Sequence, residues 1–396
     1  MTDDARSAPV PTTRQEERRV SLLELFFDLV FVVALANISG SLSRELNPLG
    51  ALHSAVMLMA LWWVWSITAL ACNMYDGLRP QIRALIITVM LASMLLAINI
   101  PTAFVNPRHG LIFAASYVAI HLSRPAFLAP LVRGQPEMQH RAQRILFWFV
   151  LSAVPWIAGG LVDGDARLGC WLLALAIDYG AFWAAYPIPR LGRVPLGQRH
   201  VMAHHLAERY QQFFIIALGD AILVGGLGLT ASTHAPRSPT LVVFFLHTLL
   251  LWRVYSHKAG ELLPEAIAAS VQPKHFVKSG PYIHLLLVAG AMVTAAGFKL
   301  VIADPYGDTK ASWLWLILGG PALFLVGRAS FEHQVFNRVS WSRPGGVVAL
   351  GLAAPIALHV PPLGATAAAT VVLAGVAFAD ARRSWHKPPE HPAPPR

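Results

Sequence analysis

Long apolar stretches recur along the whole chain, and only short polar segments separate them. A stretch of about 17 to 25 apolar residues is long enough to cross a bilayer as a helix. The gaps are too short to hold a sizeable soluble domain. The pattern therefore predicts an all-α, polytopic membrane helix bundle of about twelve transmembrane helices, with spans at 22–40, 51–72, 82–104, 110–131, 145–163, 168–186, 205–229, 240–258, 281–303, 311–329, 345–360 and 363–380.

Composition supports the same class. The chain is 55% hydrophobic and only 13% charged, with a mean hydropathy of +0.52, whereas soluble domains are roughly 25% charged. We therefore expect the lipid bilayer to be its main partner. The net charge of +10 does not indicate nucleic-acid binding, because the Lys and Arg residues are dispersed among the loops and do not cluster on one helix.

The basic residues instead indicate topology. Five of the six odd-numbered gaps between the spans carry one each (Arg44, Arg108, Arg167, Arg237 and Lys310), and the even-numbered gaps and both ends carry most of the others. Because cytoplasmic loops are enriched in Lys and Arg, this asymmetry predicts a multi-pass protein of the cell (cytoplasmic or inner) membrane with both termini in the cytoplasm.

An internal repeat is predicted from similar first spans. Span one holds Glu24 followed by an apolar run to Asn37, and span seven holds Glu208 followed by an apolar run to Asp220. The chain would then consist of a cytoplasmic disordered tail, a first six-helix half, a cytoplasmic linker, a second six-helix half and a second tail, at 1–20, 21–186, 187–204, 205–381 and 382–396. Because six is even, the halves would be parallel repeats related by an axis along the membrane normal.

Acidic residues inside spans are costly to bury and point to function. Glu24 and Asp28 are one helical turn apart on one face of span one, so one of them should hold a proton unless a cation lies between them. Asp220 lies about two-thirds of the way through span seven. We expect Asp28 and Asp220 to face the same interior region as an ion- or proton-responsive pair. The alternative is that Glu24 faces the headgroups and Asp28 pairs with a basic residue of another helix.

Histidines at the start of span seven leave metal binding open. His204 and His205 lie four and three residues before Glu208, close enough on a helix for their side chains to meet it. A metal site needs a third ligand, and the other interpretation is a polar cluster at the lipid interface. Arg124 and Arg328 lie near span ends, which favours interpreting them as interface anchors. No cofactor is expected.

Four motifs resemble one known family. The segment Leu23-Glu24-Leu25-Phe26-Phe27-Asp28-Leu29-Val30-Phe31-Val32 is similar to the signature of the bacterial low temperature requirement A (LtrA) family. So are Trp62-Trp63-x-Trp65 with Asn73 and Asp76, His205-x-x-Glu208-Arg209-Tyr210 through Ile216-Ala217-Leu218-Gly219-Asp220, and Tyr282-x-His284-Leu285. The family pattern has Phe at position 210 and Glu at 220, so this chain keeps an aromatic residue and a carboxylate. The resemblance implies an integral membrane protein whose family name reports a growth phenotype in the cold.

The candidate substrate- or ion-binding residues lie in or beside these motifs: Glu24, Asp28, Asn37, Trp65, Asn73, His205, Glu208, Arg209, Asp220, Tyr282 and His284. No catalytic residues are predicted, and we expect the chain not to be an enzyme. Twelve spans, a duplication and buried carboxylates favour a secondary transporter or permease, proton- or cation-coupled, for a small solute or ion that the sequence does not identify. A cation channel, a membrane-embedded enzyme or structural protein, and assembly into a homo-oligomer all stay open.

Overall fold

The computed structural model describes residues 20–189, 192–194, 202–228, 237–270, 274–385 and 390–395. Within these ranges the named elements are helices, and the β-structure there is a single isolated bridge between Ile188 and Gly192. The all-α prediction is confirmed for these ranges. The predicted tail 1–20, apart from Val20, lies outside them, as do half of the predicted linker 187–204 and parts of the tail 382–396.

Fourteen α-helices lie in the described ranges, and short 3₁₀ or π turns extend α3, α4, α7 and α8 through residues 102, 132, 228 and 260. In chain order the helices are α1 Leu22–Arg44, α2 Pro48–Met74, α3 Pro80–Asn99, α4 Pro107–Leu128, α5 Pro136–Leu161, α6 Gly164–Trp183, α7 Ala203–Leu223, α8 Arg237–Tyr255, α9 Leu263–Ala269, α10 Lys274–Ala303, α11 Ala311–Ile317, α12 Gly319–Phe336, α13 Ser342–Ala357 and α14 Pro362–Ser384.

Ten of the twelve predicted spans correspond to helical segments long and apolar enough to cross a membrane. The other two, 168–186 and 345–360, coincide with α6 and α13. Neither helix is among the ten, and α13 has only 16 residues, which is shorter than the roughly 17 that a spanning helix needs. The polytopic architecture is therefore established on ten helices, and the total of twelve stays a prediction.

Local sequence explains where the helices begin. Proline occupies the first turn of α2, α3, α4, α5 and α14, where its missing N–H costs no hydrogen bond. The start of α1 resembles a capping box: Ser21 Oγ accepts from the Glu24 backbone N–H at 3.3 Å and donates to the Glu24 carboxylate at 3.0 Å. This cap fixes the rotamer of Glu24 at the entrance of α1.

The same pairs of helices contact each other in the two predicted halves. In the first half α1 packs on α2 and α3, then α3 on α4, α4 on α5, α5 on α6, and α2 on α6. In the second half α7 packs on α8 and α10, then α10 on α12, α12 on α13, α13 on α14, and α8 on α14. This shared order favours a duplication. The repeat and its axis stay predictions.

Two buried arginines occupy matching places in this scheme. On α4, Arg124 Nη2 donates to the carbonyl of Val64 on α2 at 3.1 Å. On α12, Arg328 Nε donates to the carbonyl of Val254 on α8 at 2.8 Å. Both side chains are almost completely buried, so their interpretation as lipid-interface anchors is wrong. Backbone carbonyls of neighbouring helices, rather than lipid headgroups, accept the hydrogen bonds of these two arginines.

Contacts between the halves are not matched in this way. Helix α1 packs on both α7 and α10, and α2 also contacts both. Across the described ranges, the converse contacts of α7 with α3 and of α8 with α1 are not formed to a comparable extent. An exact two-fold axis would produce both sets. The asymmetry places α10 against α1, which brings a lysine of α10 to that helix.

Candidate functional site

An ion pair joins the two first helices of the predicted halves. Arg209 on α7 binds the Asp28 carboxylate on α1 in a bidentate manner, with Nη1 to Oδ2 at 2.9 Å and Nη2 to Oδ1 at 2.7 Å. Both side chains are buried, with relative exposures of 1% and 0%. Trp65 on α2 adds a third hydrogen bond, from Nε1 to Asp28 Oδ1 at 2.8 Å. Asp28 therefore has two partners, which come from two of the helices that pack on α1.

Glu24 extends this cluster by one helical turn. His205 Nε2 lies 2.8 Å from Glu24 Oε2, and Arg209 Nη1 donates to the Glu24 carbonyl at 3.0 Å while its Nε lies 3.8 Å from Oε2. Glu24 is fully buried, so the interpretation that it faces the headgroups is wrong. The sequence did not identify a cation between the carboxylates of Glu24 and Asp28, and in the structure Arg209 is that cation.

The tautomer of His205 follows from its other neighbour. The Asn73 amide nitrogen lies 3.4 Å from His205 Nδ1 and donates to the Met202 carbonyl at 2.9 Å. Because an amide NH₂ can only donate, Nδ1 accepts, and this assignment leaves a proton on Nε2 for Glu24. We name Glu24, Asp28, Trp65, His205 and Arg209 the arginine cluster.

Aromatic side chains surround the arginine cluster. The Arg209 guanidinium carbon lies 5.6 Å from the Trp65 ring and 5.8 Å from the Phe27 ring, within the range of cation–π attraction. Phe213 of α7 packs at 4.4 Å from Trp65. These rings exclude water, and in such an environment an ion pair that loses one partner becomes very costly.

A second carboxylate lies farther along the same pair of helices. Ser39 Oγ on α1 donates to Asp220 Oδ2 on α7 at 2.5 Å. Lys299 on α10 donates to Ser39 Oγ at 2.6 Å and to the Ala36 carbonyl at 2.8 Å, and its Nζ lies 4.0 Å from Asp220 Oδ1. Asp220 is buried, whereas the Lys299 side chain is 24% exposed. We name Ala36, Ser39, Asp220 and Lys299 the lysine cluster.

The two clusters occupy different depths along α1. Asp28 and Ser39 are eleven residues apart, which is about 16 Å at 1.5 Å per residue. Asp28 and Asp220 thus both lie at the interface of α1 with α7, each in contact with a residue of the opposite helix. The structure places them there in series along the helix axis; their role stays a prediction.

The other predicted residues lie outside the two clusters. Asn37 donates to the Ala97 carbonyl of α3 at 2.8 Å, and Glu208 accepts from the Val20 N–H at 3.1 Å. Tyr282 donates to the Tyr179 carbonyl at 2.9 Å. His284 stacks on an aromatic ring of α7 and contacts the Gly280 carbonyl at 3.1 Å. These contacts fix helix packing and place none of the four against Asp28 or Asp220.

Metal ligands do not converge in the part of the chain that the structure describes. No group of three or more His, Cys, Asp or Glu side chains there could hold a metal ion. His204 is exposed while His205 points to Glu24, so the two histidines diverge on α7.

Sequence reasoning did not single out Lys299 as a site residue, and it missed the pairing of Ser39 with Asp220. A lysine within an otherwise apolar span was the available signal. A further buried carboxylate, Asp178 of α6, accepts from Tyr117 Oη at 2.8 Å and from Trp156 Nε1 at 3.2 Å. These partners lie on α4 and α5, so this contact stays within the first half.

Comparisons with known proteins agree with the motifs. The model of a family described as bacterial low temperature requirement A protein (LtrA) matches residues 19–378. An uncharacterized protein of Rhizobium meliloti (strain 1021) is 34% identical over 327 residues, which cover 82% of this chain and 79% of that protein. No solved structure matches the chain. Both clusters lie inside the matched residues.

Proposed function

The chain belongs to the bacterial low temperature requirement A family, and on that premise we propose that it is a secondary transporter or permease of the cytoplasmic membrane, coupled to protons or cations. The proposal includes a role in growth at low temperature. It assigns transport and no catalysis, and it takes a small solute or an ion as the substrate.

The observation that supports transport is the pair of charged clusters between α1 and α7. Burying a carboxylate or a guanidinium in a bilayer interior costs several kcal/mol unless each is paired. Two helices that only needed to pack could meet through small apolar side chains at no such cost. Retaining Asp28, Arg209 and Asp220 at one interface is therefore best explained by a function that needs charged groups there.

The closed state of the arginine cluster favours a carrier over a channel. Asp28 and Arg209 are at most 1% exposed and satisfy each other through two hydrogen bonds. A conducting pore presents its charged groups to water, whereas a carrier passes through states in which its site is closed. The proposal accordingly predicts saturable flux rather than conductance.

Flux into proteoliposomes tests this function. Vesicles that contain the purified full chain and a trapped pH-sensitive dye are given a pH gradient, with Na⁺ or K⁺ outside. We expect proton flux that saturates with cation concentration, and at least a tenfold loss in Asp28→Asn and Asp220→Asn. Asp308→Asn is the matched control, because Asp308 is exposed in the loop before α11.

Growth in the cold gives the second measurement. In a bacterial host that lacks its own family member, the wild type and Asp308→Asn should restore growth at low temperature, and the two other Asn variants should not, although they insert normally. Asn keeps the size of Asp but removes its charge. If both buried variants match the wild type in flux and in growth, the carboxylates are structural and the proposal is wrong.

A further inference from the structure

We propose that the ammonium group of Lys299 occupies a binding site for a monovalent alkali cation, so that this chain supplies a tethered cation where a free ion would otherwise bind. The site is the lysine cluster. The inference rests on the proposed function in one respect: a role of this site in coupled transport requires that the protein be a transporter. Its test measures binding and needs no flux.

The hydrogen-bond partners of the ammonium group and its carboxylate neighbour are all oxygen atoms. Ser39 Oγ at 2.6 Å and the Ala36 carbonyl at 2.8 Å accept from Nζ, and Asp220 Oδ1 lies 4.0 Å away. Carbonyl, hydroxyl and carboxylate oxygens are the ligands that hard cations prefer. One carboxylate among them balances a single positive charge, which favours an alkali cation over a divalent ion.

One oxygen of this set is left without a hydrogen bond. Asp220 is buried to a relative exposure of 1%. Its Oδ2 accepts from Ser39, but its Oδ1 has no hydrogen-bond partner among the residues that the structure describes. A buried carboxylate oxygen without a partner is costly. At 4.0 Å the ammonium is too distant to satisfy it fully, whereas an ion bound closer to Asp220 could ligate it.

The site has access from one side. Asp220 is buried between α1 and α7, but the Lys299 side chain is 24% exposed, so this side chain reaches the surface beside α1. Removing the lysine side chain would leave an opening that leads to Asp220, Ser39 and the Ala36 carbonyl. A cation could enter there without separating the helices.

Arg44 is the competing cation. A Cβ built on Gly40 would lie 3.4 Å from Arg44 Nη1 and 3.5 Å from Lys299 Nζ, so both charges approach the same face of α1. Arg44 is exposed, and its Nη2 donates to Ser41 Oγ at 3.2 Å. Its charge opposes cation binding and has to be varied in the test.

The test uses the full chain in detergent at constant ionic strength. Thermal unfolding of the wild type, Lys299→Ala and Lys299→Met is measured in LiCl, NaCl, KCl and choline chloride. We expect the wild type to have one Tm in all four salts. Both variants should have a lower Tm in choline and a saturable rise with at least one alkali cation, since a ligand that binds only the folded state stabilises it.

Two double variants identify the ligands. Lys299→Ala with Asp220→Asn should lose the rise, because the carboxylate is gone. Lys299→Ala with Arg44→Ala should keep it and reach half-saturation at a lower salt concentration. The proposal is overturned if neither single variant distinguishes alkali cations from choline, or if the rise in Tm persists without Asp220. It is also overturned if both single variants stay unfolded in every salt, because a bound alkali cation should replace the missing charge of Lys299.

These outcomes separate the two proposals. Alkali-dependent stability in Lys299→Ala together with absent flux would leave the cation site standing and overturn transport. Cation-coupled flux in the wild type together with no alkali response in the variants would overturn the tethered-cation site alone.

Discussion

Arg209→Met should destabilise the protein more than any other single change in the arginine cluster. The substitution keeps an unbranched apolar stem but removes the two hydrogen bonds to Asp28 and the one to the Glu24 carbonyl. Trp65 Nε1 would be the remaining donor to Asp28 among the contacts described above. The carboxylate would then be buried with one hydrogen bond and no adjacent positive charge.

The magnitude follows from that geometry. Removing one partner of a buried ion pair costs about 3–5 kcal/mol, because the other charge stays uncompensated. Asp28→Asn should cost less than Arg209→Met, because the guanidinium keeps the Glu24 carbonyl and a Glu24 carboxylate oxygen at 3.8 Å. In the double variant neither charge of the pair remains, so its cost should fall below the sum of the single costs by roughly 1–3 kcal/mol.

A double-mutant cycle measures this coupling. Circular dichroism follows unfolding in mixed micelles with increasing SDS for the wild type, both single variants and the double variant. Asp308→Asn is the control and should leave the free energy of unfolding unchanged. Costs that add without any coupling term would refute the reasoning, since they would mean that the two side chains do not interact energetically.

Two further predictions concern packing and topology. Gly290→Ala should lower the free energy of unfolding by about 1–3 kcal/mol, because its Cβ would lie 2.5 Å from the backbone nitrogen of Phe324. The control Gly351→Ala should leave stability equal or slightly higher, because a Cβ there meets nothing within 4 Å. Equal melting temperatures of the two variants would contradict this prediction. Reporter fusions at Arg14 and at Arg383 should both report the cytoplasm, as the distribution of Lys and Arg indicates, and an external signal from either position would overturn the topology.

The lengths of the apolar stretches predicted the helices well, because the thickness of the bilayer sets the length of a spanning helix. Ten predicted spans match helical segments that are long and apolar enough to cross. The two others, at α6 and α13, differ for reasons visible in the sequence: Asp165, Arg167 and Asp178 interrupt the apolar character of α6, and α13 is short. An apolar stretch indicates that a segment can enter the membrane, but its exact depth and length depend on neighbouring helices.

The partners of the buried charges could not be predicted from the sequence. Asp28 and Arg209 are 181 residues apart, and the sequence offered several arginines for the same role. Arg124 illustrates the difficulty, because its place near a span end indicates an interface anchor whereas the structure directs it to Val64 and to Thr68 Oγ1 at 2.9 Å. Which carbonyl or carboxylate meets an arginine depends on how the helices cross.

Lys299 shows a second limit of sequence reasoning. Its position in span nine was clear, but its approach to Ser39 depends on α10 packing against α1, a contact between the halves that a symmetric repeat does not predict. The predicted repeat therefore concerns only the interior of each predicted half. It cannot predict the side chains that meet where the halves differ.

The two clusters differ in how easily they can be broken, and this difference constrains any motion that transport requires. The arginine cluster is fully buried, so separating α1 from α7 there would expose an uncompensated charge at a cost of about 3–5 kcal/mol. The ammonium of Lys299 lies at the edge of its site, and a partly exposed charge that leaves its partner regains water, at a cost nearer 1 kcal/mol. A transport cycle should therefore keep α1 and α7 together as one unit and move α10 relative to it. On the proposed function, Asp220 would then exchange its cation while Asp28 and Arg209 keep α1 and α7 in contact.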